Sequence, residues 1–142
     1  MGHARALKFV LNEKLAADSR EVGDLQLCRV LLMNDARFPW LVLVPRYEGV
    51  RELFELPPRE RNLLVEEVAH CAKRLLDVTG LAKINIGMLG NVVPQMHVHV
   101  VARSSADSAW PGPVWGFGRA RAYAPAKRAT FLRRIRKAIR KA

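Results

Sequence analysis

Apolar and polar positions alternate strictly from Gln95 to Ala102, in the run Gln-Met-His-Val-His-Val-Val-Ala, which predicts a β-strand rich in stiff β-branched residues. Three further apolar runs, 26–33, 40–44 and 83–88, read as strands as well. Asn34-Asp35-Ala36-Arg37-Phe38-Pro39 is turn chemistry, so the first two runs make an antiparallel hairpin, with Pro45 stopping its second arm. A 3.6-residue stripe of Leu64, Val68, Cys71, Ala72, Leu75 and Leu76 predicts one long helix, opened by Pro57-Pro58 and closed by Gly80. Gly90-Asn91-Val92-Val93-Pro94 joins the third strand to the histidine strand. Residues 104–125 turn irregular, because Trp110-Pro111-Gly112-Pro113-Val114-Trp115-Gly116 suits neither a helix nor an inner strand. A second stripe, Phe131, Leu132, Ile135 and Ile139, predicts a C-terminal helix. The expected class is α+β: an antiparallel sheet of about five strands with one main helix and a C-terminal helix.

At 142 residues the chain is expected to be a single domain, 1–142, ending in a Trp/Pro-rich loop and a basic amphipathic helix over 104–142. No repeat stands out, and no apolar run approaches the ~18 residues of a membrane span. The N-terminal residues lack an uninterrupted apolar region and a small-residue cleavage pattern, so the expected location is cytoplasmic. Cys28 and Cys71 have no metal or redox spacing and read as buried free thiols of a reduced cytosol.

Charge changes the picture at one end. The net charge is +11, yet Lys127–Lys141 carries eight Lys or Arg and no acid, leaving about +3 for the rest. Two readings follow. The tail is a helix docked by its apolar stripe with a solvated basic face and weak, incidental polyanion binding, or it is a dedicated nucleic-acid or lipid-binding element.

The histidine strand carries the candidate chemistry. Side chains two apart share a face, so Gln95, His97 and His99 point one way, onto an expected wet face, and Met96, Val98 and Val100 point into the core. Metal binding is one reading, but zinc needs three or four ligands and only His3 and His70 remain, so no metal is expected. Two accidental surface histidines are another, weakened by the Gly90-Asn91 loop and Gln95 beside them. Nucleophilic catalysis is the third. Imidazole, with a reference pKa near ~6.5, is largely unprotonated at neutral pH and can attack phosphorus, splitting one displacement into two.

The run Gly90-Asn91-Val92-Val93-Pro94-Gln95-Met96-His97-Val98-His99-Val100-Val101-Ala102-Arg103 resembles the histidine-triad (HIT) signature, in which alternating histidines follow a Gly-Gln-x-Val turn. The likeness spans roughly residues 25–103, and the Trp-Pro-Gly-Pro-Val-Trp segment looks like a bacterial branch whose triad begins with Gln. The resemblance implies that His97 is the nucleophile, its Nδ1 proton held by a backbone carbonyl and its Nε2 free to attack the α-phosphorus of a nucleotide. It implies that His99 hydrogen-bonds the phosphate and that Asn91, beside Gly90, contacts phosphate from the preceding turn. It also implies that Asn34 binds the ribose hydroxyls.

Three positions depart from the family pattern. Gln95 replaces the first histidine and can donate to phosphate or leaving group but cannot transfer a proton, which favours good leaving groups. Trp40 stands where a fourth His is often found, and Val92 where a Ser or Thr often assists. The implied activity is cleavage at the α-phosphate of a nucleotide conjugate, such as a dinucleoside polyphosphate or nucleoside phosphoramidate, without a cofactor and in a homodimer. The alternative is a non-catalytic module that binds nucleotides, or nucleic acid through the basic C-terminus. Trp110 and Trp115 read equally as loop anchors or as a lid over the pocket, and Arg103 could reach phosphate, although a surface Arg after a strand is usually only solvated.

Overall fold

The computed structural model describes residues 8–141. Its centre is a five-stranded antiparallel sheet in the order β1-β2-β3-β5-β4, with β1 Ser19–Asp24, β2 Cys28–Met33, β3 Trp40–Pro45, β4 Lys83–Gly87 and β5 Val98–Arg103. Among the described residues three helices accompany it: α1 Glu13–Ala17, α2 Pro58–Thr79 and α3 Pro125–Arg140, with a 3₁₀ turn at Leu53–Glu55. The α+β class, the β2–β3 hairpin and both long helices agree with the sequence reading. Two elements lacked a periodic signal. In β1 (Ser-Arg-Glu-Val-Gly-Asp) just Ser19 and Val22 are buried, and α1 is a short turn capped by the Asn12 side chain.

Proline at its start and Gly80 at its end delimit α2. Gly80 adopts φ 73°, and its N–H donates to Leu76 O at 2.8 Å, the left-handed stop that glycine takes without strain. The stripe from Leu64 to Leu75 meets Val30, Leu32, Leu41, Leu43, Val98 and Val100 on one face of the sheet. Glu67 interrupts that stripe. It is buried, and its carboxylate accepts from Leu27 N and Cys28 N, both at 2.8 Å, so the start of β2 is fastened to the helix. Burial beside this carboxylate pushes the Cys28 thiol well up and the Cys71 thiol to about 12.

The other sheet face departs from expectation. It is not wet: all six residues of β5 are buried, because a second core covers them. Leu15, Phe38, Val93, Ala109 and Val114 close over Leu31, Trp40, Val42, Val44 and Val101. Arg103 organises this layer and is a correction to the surface reading, since it is 1% exposed. Its guanidinium donates to Asp107 Oδ2 at 2.7 Å and Oδ1 at 3.0 Å, to Asn85 Oδ1 at 2.8 Å and to Gly112 O at 2.8 Å. That pairing draws the Asp107 carboxyl down to about 2. The ladder also begins later than Gln95. Residues 95–97 lie outside it because Met96 N donates to Val50 O at 3.0 Å instead of pairing with a strand.

The C-terminal helix is docked. Leu132, Ile135 and Ile139 are buried in the α2-side core, with Phe131 half-buried. His70 Nε2 donates to Ile139 O at 2.7 Å, and Arg136 donates to Glu21 O and Val22 O, so carbonyls of α3 and β1 find partners. Among the described residues no helix is long and apolar enough to cross a membrane. Ile135→Ala, at a site with no solvent exposure, is expected to cost about 2–5 kcal/mol. Urea unfolding monitored by circular dichroism measures it, and an unchanged midpoint would contradict the docking.

Candidate active site

Strand β5 carries His99 in register with Val42 on one side and Gly87 on the other. Gly87 is needed there: a Cβ would come within 2.9 Å of Trp115 Cη2. The missing side chain lets the Trp115 indole settle against His99, centroids 5.6 Å apart in an edge-on contact. Trp40, two residue pairs along on β3, approaches from the other side at 5.6 Å, and its Nε1–H donates to His99 Nδ1 at 3.0 Å. An indole can donate but not accept, so Nδ1 of His99 holds the lone pair and Nε2 the proton. Burial between the indoles, with the neighbouring His97 adding to it, lowers the His99 pKa to about 4.

His97 is held the opposite way. Its Nδ1–H donates to Gln95 O at 2.7 Å, which leaves the lone pair on Nε2. The two rings lie 4.9 Å apart at 71°, both 7% exposed. Adjacent imidazoles are thus fixed in complementary tautomers, one presenting a base and the other a donor.

Gln95 also has a structural purpose. Its Oε1 accepts from Asn12 N at 2.8 Å and its Nε2 donates to Val10 O at 2.9 Å, so the amide straps the segment before α1 and keeps one further N–H to donate. Sequence reasoning missed this because nothing in Val10–Asn12 marks a partner for it. Asn34 lines a cleft of about 440 Å³ with Asp35, Arg37, Trp40, Val114 and Phe117. Its Oδ1 accepts from Tyr123 N at 3.0 Å, joining the C-terminal segment to the β2–β3 turn. A second cavity, of about 240 Å³, brings Gly90 together with His97 and with Arg51, which the sequence did not single out. Gly90 adopts φ 72°. Asn91 beside it is exposed and lines neither space. Trp115 sits at the histidines, while Trp110 lies over the Arg103 guanidinium at 5.6 Å.

His3 lies outside the described residues, and His70 is engaged with α3. Among the described residues no three His, Cys, Asp or Glu side chains gather as a metal site.

Comparison with known proteins assigns the chain to one family. The HIT domain family matches residues 14–106, and the chain belongs to that family. A histidine triad (HIT) protein from Sinorhizobium meliloti 1021 is 47% identical, with TM-score 0.91 over 94% of this chain and 98% of its own. Histidine triad proteins from Marinobacter aquaeolei VT8 (40% identical, TM-score 0.89, 92% of this chain and 96% of that one) and Bradyrhizobium japonicum (38%, 0.90, 92% and 98%) are similar. No curated protein matches the chain.

The His99 environment makes a pH prediction. An unfolded chain takes up a proton near pH ~6.5 that the folded site refuses until about 4, so stability falls as pH drops through that window. Ring ¹⁵N NMR should find His99 neutral with the proton on Nε2 at pH 5.5. Trp40→Phe should release the tautomer and move the titration back towards 6.5. A wild-type His99 already protonated at pH 5.5 would contradict the arrangement.

Proposed function

We propose that the protein binds nucleotide conjugates and cleaves them at the α-phosphate, by way of a nucleotidyl group carried on His97. The observation that carries the reading is the 2.7 Å bond from His97 Nδ1–H to Gln95 O, which makes Nε2 the lone-pair nitrogen of the neutral ring and fixes its direction. In this reading Nε2 attacks phosphorus, the bond to the leaving group breaks, and water later returns the nucleotidyl group to solution. His99 donates its Nε2–H to a non-bridging oxygen where charge builds up. Asn34 offers its remaining amide N–H groups to the ribose. Gly90 and Asn91 approach the phosphate from the turn, and Gln95 acts through its carbonyl and by holding the Val10–Asn12 segment. A histidine lone pair exists at neutral pH, so this chemistry asks for no cofactor.

Belonging to the HIT family supports nucleotide binding and hydrolase or transferase chemistry. We take the whole chain, 1–142, as one functional domain in which residues 104–142 complete the fold. The buried free thiols suit a reduced cytoplasm. The weak polyanion binding assigned to the basic C-terminus concerns the exposed face of α3, on the sheet side away from the histidines.

A homodimer is the proposed assembly. Strand β4 is a sheet edge that carries the exposed Ile86 and is followed by the exposed Met88, and the long helix exposes Val65. Light scattering at micromolar concentration should give the mass of two chains, and a mass of one would contradict it.

His97→Ala tests the nucleophile. Turnover should fall by several orders of magnitude while nucleotide still binds, because the ribose and phosphate contacts belong to other residues. Near-normal turnover in that variant would overturn the mechanism.

A further inference from the structure

We infer that the exposed face of α3 is a docking surface for the phosphate backbone of duplex nucleic acid, gripped by Arg133, Lys137 and Arg140. The inference goes beyond the nucleotide-cleaving reading and does not depend on it. It also goes beyond incidental attraction to a basic tail, because the three cations line a shaped groove. That groove, of about 540 Å³, is completed by Ala129, Leu132 and Arg136, and no acid among the described residues lines it.

The helix needs none of these three charges to dock. Leu132, Ile135 and Ile139 hold it to the core, and two other arginines are spent on backbone carbonyls. Arg134 donates to Val78 O at 2.8 Å, and Arg136 donates to Glu21 O and Val22 O. Arg133, Lys137 and Arg140 are exposed and make no hydrogen bond or ion pair among the described residues. The neighbouring α2 differs, with its Lys73 paired to Asp77 at 2.9 Å. Residues Pro125–Arg140 include no acid, so Arg133 and Lys137 stand four apart and Lys137 and Arg140 three apart, like charges whose repulsion weakens a helix. A polyanion lying along this face removes that repulsion.

Spacing and charge select the partner. At ~1.5 Å of rise per residue, the stretch from Arg133 to Arg140 spans about 10 Å of helix. One strand of a duplex presents a phosphate every ~3.4 Å of its axis, about three over that length and one for each cation. Two of the three are arginines, whose fork grips a phosphate with paired N–H groups. An anionic membrane fits less well. An interfacial helix buries an apolar face in lipid, whereas that of α3 is buried in the core, and the exposed large apolar side chains among the described residues lie outside α3. A protein partner would need an apolar centre to its interface, which this face also lacks, and a second copy of the chain, itself at +11, would be repelled. The groove is on the α2 side of the sheet, away from the histidines, so nucleic acid and nucleotide can be held together.

The test measures binding of a fluorescein-labelled DNA duplex of about 20 base pairs to the full chain, by anisotropy, between about 50 and 200 mM salt. The triple variant Arg133→Gln, Lys137→Gln, Arg140→Gln should bind at least about tenfold more weakly at the lower salt. Its slope of log K against log salt should flatten by about 3, and that of Lys137→Gln alone by about 1, since each lost phosphate contact contributes ~0.9. Removing the same charge at exposed positions elsewhere, by Arg59→Gln, Lys73→Gln and Lys83→Gln together, should change the affinity little. Circular dichroism should give every variant the wild-type spectrum, with the melting midpoint of the α3 variants unchanged or raised. Excess AMP should not displace the duplex. Equal losses in the two triple variants would mean general charge attraction and would overturn the site, as would displacement by AMP. Wild type that binds no duplex at the lower salt, or that prefers phosphatidylglycerol vesicles to it, would overturn the inference too.

Discussion

A guanidinium taken out of water must have its donors satisfied, and that constraint on Arg103 shapes half of the molecule. Its two bonds to Asp107 and one to Gly112 O require residues 104–112 to fold back over the sheet instead of trailing into solvent. Removing one partner of such a buried pair leaves an uncompensated charge, typically a loss of about 3–5 kcal/mol. Once the segment is down, Val114 and Trp115 are delivered onto the face that carries His99. The same segment, continued to Tyr123, bonds the β2–β3 turn at Asn34. The covered face that follows separates this fold from an antiparallel sheet with one wet side.

Covering the histidines decides their chemistry. Two imidazoles 4.9 Å apart in water would share similar, interchangeable tautomers. Here a carbonyl fixes one and an indole fixes the other, so the pair presents a lone pair and a donor side by side. Burial makes the neutral form of His99 the stable one, which keeps a charge away from the neighbouring His97. In the proposed mechanism the lone pair serves attack and the donor serves oxyanion contact.

Much of this was legible in the sequence where a local period or a turn residue carried it. Alternation in 95–102 put His97 and His99 on one face, proline and Gly80 bounded α2, and the stripe from Phe131 to Ile139 marked a helix that docks. What escaped depends on contacts between segments far apart. Gln95 meets Val10 and Asn12 across more than eighty residues, so its amide read as a free donor. Arg103 read as solvated because Asp107, Asn85 and Gly112 become its partners once the loop has folded. Strand β1 is a charged edge with a register shift between Glu21 and Gly23, which erased its alternation. Gly87 was the one hint left unread: a glycine inside a strand often marks the close approach of another group, here Trp115.

The central claim is that Nε2 of His97 becomes bonded to phosphorus. Mixing the protein with diadenosine triphosphate, quenching within milliseconds under alkaline conditions that preserve phosphorus–nitrogen bonds, and mapping peptides by mass spectrometry tests it most directly. The account predicts one adenylyl group on the peptide containing His97, formed and consumed at the rate of turnover. Turnover with no adduct, or with the adduct on another residue, would contradict it.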